Sequence, residues 1–207
     1  MSNKLSALPE PSPLQGNATQ DIEYIIDEHD LMTWVNEAWD DFALCNDAPN
    51  LLSAQVLGRD WREFVQGDTN RMYMEAMLSA ARILGKRIGQ SYRCDSPSDK
   101  RYVKLTVEPQ EKGHIKFRHH TTKVVPQKYI VNFVVPKTPV KGGKVAFRCS
   151  MCNRVKLQGQ WMEVEDAVDS KLIAAGSTVS VYYAICPSCH SKVKRISSTP
   201  ANPECCG

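Results

Sequence analysis

Ile22-Glu-Tyr-Ile-Ile-Asp27, Glu28-His-Asp30, Leu31-Met-Thr-Trp-Val35, Asn36-Glu-Ala-Trp39: this run decides the fold of the 207-residue chain. Two short segments rich in β-branched and aromatic residues flank a cluster of turn-formers, which predicts a β-hairpin. Asn36 then stands where a helix N-cap belongs, because its side-chain oxygen can accept from a backbone N–H of the first turn. Ala38, Trp39, Phe42 and Ala43 follow at helical spacing and give one apolar stripe.

Outward from this run, Asn46 to Asn50, with Pro49, interrupts the helix, and small helical turns are expected around Trp61 and Phe64 after Leu57-Gly58. Asp68 is placed to cap a longer helix from about Thr69 to Leu84, with Met72, Tyr73, Ala76, Met77, Ala80, Ala81 and Leu84 on one face and Gly85 as its stop. Three strand-like segments follow, Arg87 to Cys94, Tyr102 to Glu108 and His114 to Thr122. Ile88, Gln90 and Tyr92, then Val103, Leu105 and Val107, alternate as half-buried antiparallel strands should. Two strands, several helices and three strands predict an α+β fold: one five-stranded antiparallel sheet with the helices on one face. In the other direction, residues 1–20 hold Pro9, Pro11 and Pro13 among few large apolar residues and read as a flexible leader.

The hydrophobic content of 42% is that of globular material. No run of roughly eighteen apolar residues occurs and Met1 to Pro9 lacks an apolar core of signal length, so the expectation is a cytoplasmic chain that does not engage a membrane. Residues 1–135 carry 16 Lys/Arg against 18 Asp/Glu, whereas residues 136–207 carry 10 against 5. The C-terminal part is thus the basic one, compatible with a nucleic-acid or acidic-protein partner.

Residues 21–125 resemble the PAS sensor family in Trp34-Val-Asn-Glu-Ala-Trp39 after the opening hairpin, in Val56-Leu-Gly-Arg-Asp60, and in Arg93-Cys-Asp-Ser-Pro97 ahead of the last two strands. The resemblance implies a sensory or interaction module whose sheet and long helix enclose a pocket for a small ligand. Trp34, Trp39, Phe42, Tyr73 and Met77 are its candidate lining, with core packing as the competing reading. A flavin subtype of the family would hold its reactive cysteine in an Asn-Cys-Arg type of motif, and neither Cys45 nor Cys94 sits in one; a haem subtype would place a histidine on the long helix, and residues 69–84 contain none. Cys45 and Cys94 read as inert buried thiols, and the adjacent His119 and His120 as partly exposed strand residues pointing to opposite faces.

The eight cysteines include two Cys-x-x-Cys pairs, Cys149-Ser-Met-Cys152 and Cys186-Pro-Ser-Cys189, with thirty-three residues between Cys152 and Cys186. In a reducing compartment such pairs bind metal more readily than they form disulfides, and four thiolates suit a closed, tetrahedral structural zinc. Within the insert, residues 161–168 suit a short amphipathic element and residues 179–185 a strand. His190 makes the second pair a Cys-x-x-Cys-His string of the c-type haem kind, a reading that needs export and a further axial ligand. Whether His190, Cys205 or Cys206 joins the metal stays open in the sequence. Cys149-Ser-Met-Cys152, Gly159-Gln-Trp-Met-Glu-Val-Glu165 and Ile185-Cys-Pro-Ser-Cys189 together resemble the short zinc-ribbon-like tail found after PAS or receiver domains in bacterial signalling proteins, departing from it at Asn153-Arg154-Val155. The expected organisation is a leader (1–20), a PAS-like domain (21–125), a linker (126–145), a small zinc-ribbon-like module (146–196) and a flexible tail (197–207).

Three functions compete. The first is a non-enzymatic signalling protein that senses a small ligand or binds a protein partner, in a homodimer or with a signalling partner, and presents its zinc module as an output surface. The second is a zinc-dependent nucleic-acid-binding regulator, favoured by Lys192, Lys194 and Arg195. The third is a redox or metal sensor using the Cys-x-x-Cys pairs. No enzyme is expected, since a four-cysteine zinc has no open coordination position and the sequence displays no nucleophile–base pair or Gly-rich phosphate loop.

Overall fold

The structure, a computed structural model, describes residues 20–65, 67–96, 98–136 and 145–197. The expected leader up to residue 19, the tail with Cys205 and Cys206, and the side chains of Lys194 and Arg195 lie outside the described residues.

Strands β1 (Ile22–Ile26) and β2 (Met32–Val35) form the opening hairpin. Asp27 closes its turn: Oδ1 accepts from the backbone N–H of His29 and of Leu31, both at 2.9 Å. Asn36 works on two elements at once. Its Oδ1 accepts from Trp39 N–H (3.2 Å), capping α1 (Glu37–Cys45), and from Glu23 N–H (3.0 Å), while its amide donates to Asp21 O (2.6 Å). The hairpin and the helix are therefore pinned by one side chain.

Short turns at Pro49–Leu51 and Trp61–Phe64 bracket α2 (Ser53–Val56), and α3 (Asp68–Leu84) ends at Gly85, whose φ of 59° is the left-handed conformation that suits glycine. Gly67 takes the N-cap position of α3, and Asp68, expected to cap it, is instead its first residue. The buried face of α3 centres on Met77, Leu78 and Ala81; Met72 and Leu84, expected on that face, are 68% and 53% exposed. Apolar residues flank both sides of the stripe, so periodicity left its centre ambiguous, and packing against the sheet rotated it toward Leu78.

β3 (Ile88–Arg93), β4 (Asp99–Pro109) and β5 (Ile115–Pro126) complete a five-stranded antiparallel sheet in the order β2-β1-β5-β4-β3. With every α-helix of this part inserted between β2 and β3, this is the expected α+β arrangement around one five-stranded antiparallel sheet. Its core gathers Tyr24, Ile26, Trp61, Met77, Val107 and Phe117, and burying each large side chain stabilises by about 1.5–3 kcal/mol.

A second five-stranded sheet follows, in the order β6-β10-β7-β8-β9. β7 (Ala146–Cys149), β8 (Val155–Leu157) and β9 (Gln160–Met162) form an antiparallel meander, while β10 (Thr178–Ala184) runs parallel to both β6 (Asn132–Val134) and β7. Helix α4 (Val164–Asp169) covers one face, and Val131, Val155, Val164, Ala167 and Ile173 form the core beneath it. α5 (Pro187–Ser197) leaves the end of β10. Among the described residues, no helix is long and apolar enough to cross a membrane.

Candidate metal centre

Cys149 ends β7, and Cys152 lies in the tight turn toward β8. The turn closes with Cys149 N–H donating to Arg154 O (2.8 Å) and Asn153 N–H to Cys149 O (2.9 Å). Asn153 sits at φ 58°, a left-handed position that asparagine tolerates better than most residues. The second pair is built differently. Cys186 immediately precedes α5, Pro187 occupies the helix's first position, and Cys189 lies one turn in, so both sulfurs stand at the positive end of the helix dipole, which favours thiolate.

The four sulfurs lie within 4.8 Å of one another, Cys149, Cys186 and Cys189 buried and Cys152 partly so. Cys152 Sγ and Cys186 Sγ are 3.7 Å apart and all four thiols are free. A tetrahedron of thiolates about 2.3 Å from a central ion has sulfur–sulfur edges of about 3.8 Å. The spacing therefore fits a metal ion. A hydrogen bond from the Cys152 thiol and backbone N–H groups, including Cys186 N–H at 3.4 Å from its sulfur, lower Cys149 to about 4. Cys152 is raised because it donates that bond, and burial and the Cys149 charge push Cys189 up to about 12. Four cysteines held this close can hold a metal ion, which would satisfy all of them together. His190 is exposed and stands apart from this group, and Cys45, expected buried, is exposed at the end of α1.

The centre is not isolated from the first sheet. Tyr73 of α3 and Tyr92 of β3 pack against the cysteine cluster and the first core alike. The Tyr73 hydroxyl is buried without a hydrogen-bond partner among the described residues, and burial, then the neighbouring Cys189, raises its pKa. Arg93, the last residue of the edge strand β3, donates its N–H to Met151 O (2.8 Å), and the Asn153 amide donates to Arg93 O (3.3 Å). The metal turn thus continues the edge of the first sheet.

Around this joint the Arg93 guanidinium, 5% exposed, bonds Asp95 (2.5 Å) and Glu163 (2.6 Å), while Lys100 pairs with Glu165 (2.5 Å) and Arg154 with Glu163 (3.1 Å). Burial works to raise the Glu163 carboxyl, yet its bonds from Arg93 and Arg154 hold it below the ordinary carboxylate range. Of these residues the sequence passed over only Lys100, and it pointed to the others as parts of motifs, not as partners; a pair seventy positions apart leaves no periodic signal.

The candidate ligand-pocket set is distributed. Met77 is buried in the first core, and Trp39 and Tyr73 pack against it, with Trp39 Nε1 donating to Leu51 O (2.6 Å). Phe42 is half-buried; Trp34 is 42% exposed with the Lys116 ammonium 5.8 Å from its ring centre. One surface groove, of about 400 Å³, is lined by Gly89, Gln90, Ser91, Lys104 and Lys192. The two histidines point to opposite faces as expected and differ in setting: His120 is exposed and bonds Asp21 (2.6 Å), whereas the half-buried His119 packs under Tyr24 and bonds the Tyr92 hydroxyl (2.9 Å), and burial lowers its pKa to about 4.

A solved structure titled "Crystal structure of sensory box sensor histidine kinase from Vibrio cholerae" is similar to 53% of this chain and 84% of that one, at 11% identity and a TM-score of 0.38. No family model and no curated protein matches the chain.

Proposed function

We propose that this is a non-enzymatic, cytoplasmic signalling protein of bacterial type, in which the PAS-like part senses a small ligand or binds a protein partner and a structural zinc ion shapes the second part into its output surface. What carries the reading is the joint itself: the backbone bond from Arg93 to Met151 ties the edge strand of the sensory sheet to the metal turn, with the buried Arg93–Asp95–Glu163 group locking it. A displacement of β3 is felt at the sulfurs without any intervening linker. Zinc is favoured among metals because an all-thiolate tetrahedron suits it and leaves no open position, which also makes the centre architectural rather than catalytic.

Metal analysis of untagged protein purified without added metal should return about one zinc per chain, and Cys149→Ser should lose it. A chain that holds no metal while Cys149→Ser folds and behaves like the parent defeats the reading. Iron in place of zinc would redirect it toward a redox sensor.

A further inference from the structure

The two faces of the second sheet differ in chemistry. One is closed by α4, and the four described acidic residues between 145 and 197, Glu163, Glu165, Asp166 and Asp169, all sit on that helix or at its start. The opposite face carries a single row that crosses four strands. Tyr182 of β10 is the register partner of Phe147 of β7, Phe147 of Lys156 of β8, and Lys156 of Trp161 of β9. Register partners on neighbouring strands project their side chains from the same face, here about 4.8 Å apart. Phe147 is 44% and Tyr182 36% exposed, Lys156 is exposed, and Trp161 is half-buried where it meets the cysteine cluster. Three rings and an ammonium thus stand in line on a face from which the module's described acids are absent.

We propose that this row is a platform for single-stranded nucleic acid. Open rings at strand spacing offer stacking surfaces to successive unstacked bases, and Lys156 between them takes a phosphate. Bases within a duplex cannot reach rings on a flat sheet, so single strands are the preferred form. Stacking carries no base-edge code, so binding is tolerant of sequence. The segregation of acids onto α4 decides for a polyanion over an apolar or cationic partner, since opposite charge speeds and stabilises the encounter. This deepens the reading of the second part as an output surface and rests on it in needing the metal-held fold.

The test is fluorescence anisotropy of labelled ten-nucleotide mixed-sequence RNA and DNA, single-stranded and duplex, against the metal-loaded full chain at 50 and 200 mM salt. Single strands should bind in preference to duplex. Phe147→Ala and Tyr182→Ala should each weaken binding about 5-fold to 100-fold at unchanged metal content, with Phe147→Tyr restoring it. Lys156→Gln should flatten the salt dependence by a log–log slope of about 0.7. Ile83→Ala, on an exposed position of α3, is the control and should change nothing. Absence of binding at 50 mM salt, a preference for duplex, or equal losses in Phe147→Ala and Ile83→Ala overturn the proposal, as does a dimer that Phe147→Ala breaks in a protein that ignores nucleic acid. Any of these with one zinc per chain retained leaves the signalling reading standing; loss of the metal stoichiometry would instead overturn that reading.

Discussion

The two sheets have the same number of strands and opposite economies of stabilisation. The first buries thirteen apolar residues in one cluster, among them Trp61 and Phe117, whereas the second buries five, none larger than isoleucine. A core of the first size can hold a sheet on its own; one of the second needs a staple. Four cysteines and a charged joint against the first sheet occupy that place. A metal ion held by those cysteines would do for β7, β10 and α5 what apolar packing does for β1, β4 and β5.

The difference can be broken at three levels. Metal removal acts hardest, since ligation in small metal-dependent modules contributes on the order of 10 kcal/mol near neutral pH. Hydrogen exchange after chelation should show β7, β8 and β10 losing protection while β4 and β5 keep theirs; simultaneous loss in both sheets would mean that the first has no stability of its own. Arg93→Ala comes next. It leaves the buried Asp95 carboxylate with only Arg148, at 3.8 Å, and removes a partner of Glu163, and breaking such a buried group costs about 3–5 kcal/mol. Urea unfolding should show the midpoint fall accordingly, and Arg93→Lys should not restore it, because an ammonium cannot reproduce the forked bonds to both carboxylates.

The smallest effect is confined to the first sheet. His119 has a folded pKa of about 4, below the ordinary value of 6.5 that it regains on unfolding, so the unfolded chain takes up the proton first. Its contribution is complete above about pH 6.5 and is lost as the pH falls toward 4, by up to about 3 kcal/mol. Thermal unfolding from pH 7 to pH 4 should follow that sign, and His119→Phe should flatten the profile in that window. An unchanged slope would exclude His119 as its source.

Much of the first sheet was legible because its contacts are local. Hairpin turns, the Asn36 cap and the alternation in β3 and β4 are written within a few residues of each other, whereas the rotation of α3, its Gly67 cap and the exposure of Cys45 escaped. The second part was legible at its cysteine pairs, at the 161–168 element that carries α4 and at the 179–185 strand that is β10, and opaque in its sheet order. Cys-x-x-Cys spacing carries its chemistry in four residues, but β6 is three residues long within the stretch expected as linker, and its partner β10 lies far along the chain. Parallel pairing has no turn to announce it.

By itself, then, the sequence determined the strands of the first sheet, the Asn36 cap and the paired cysteines, because backbone preference and Cys-x-x-Cys spacing act over a turn or two of chain. Tertiary structure alone decided that Arg93 would meet Met151 and Glu163, that Tyr73 and Tyr92 would lie against the sulfurs, and that Tyr182, Phe147, Lys156 and Trp161 would fall into one row. Those relations depend on which strands become neighbours. That choice is made by the burial of two cores and the closing of one charged joint between them.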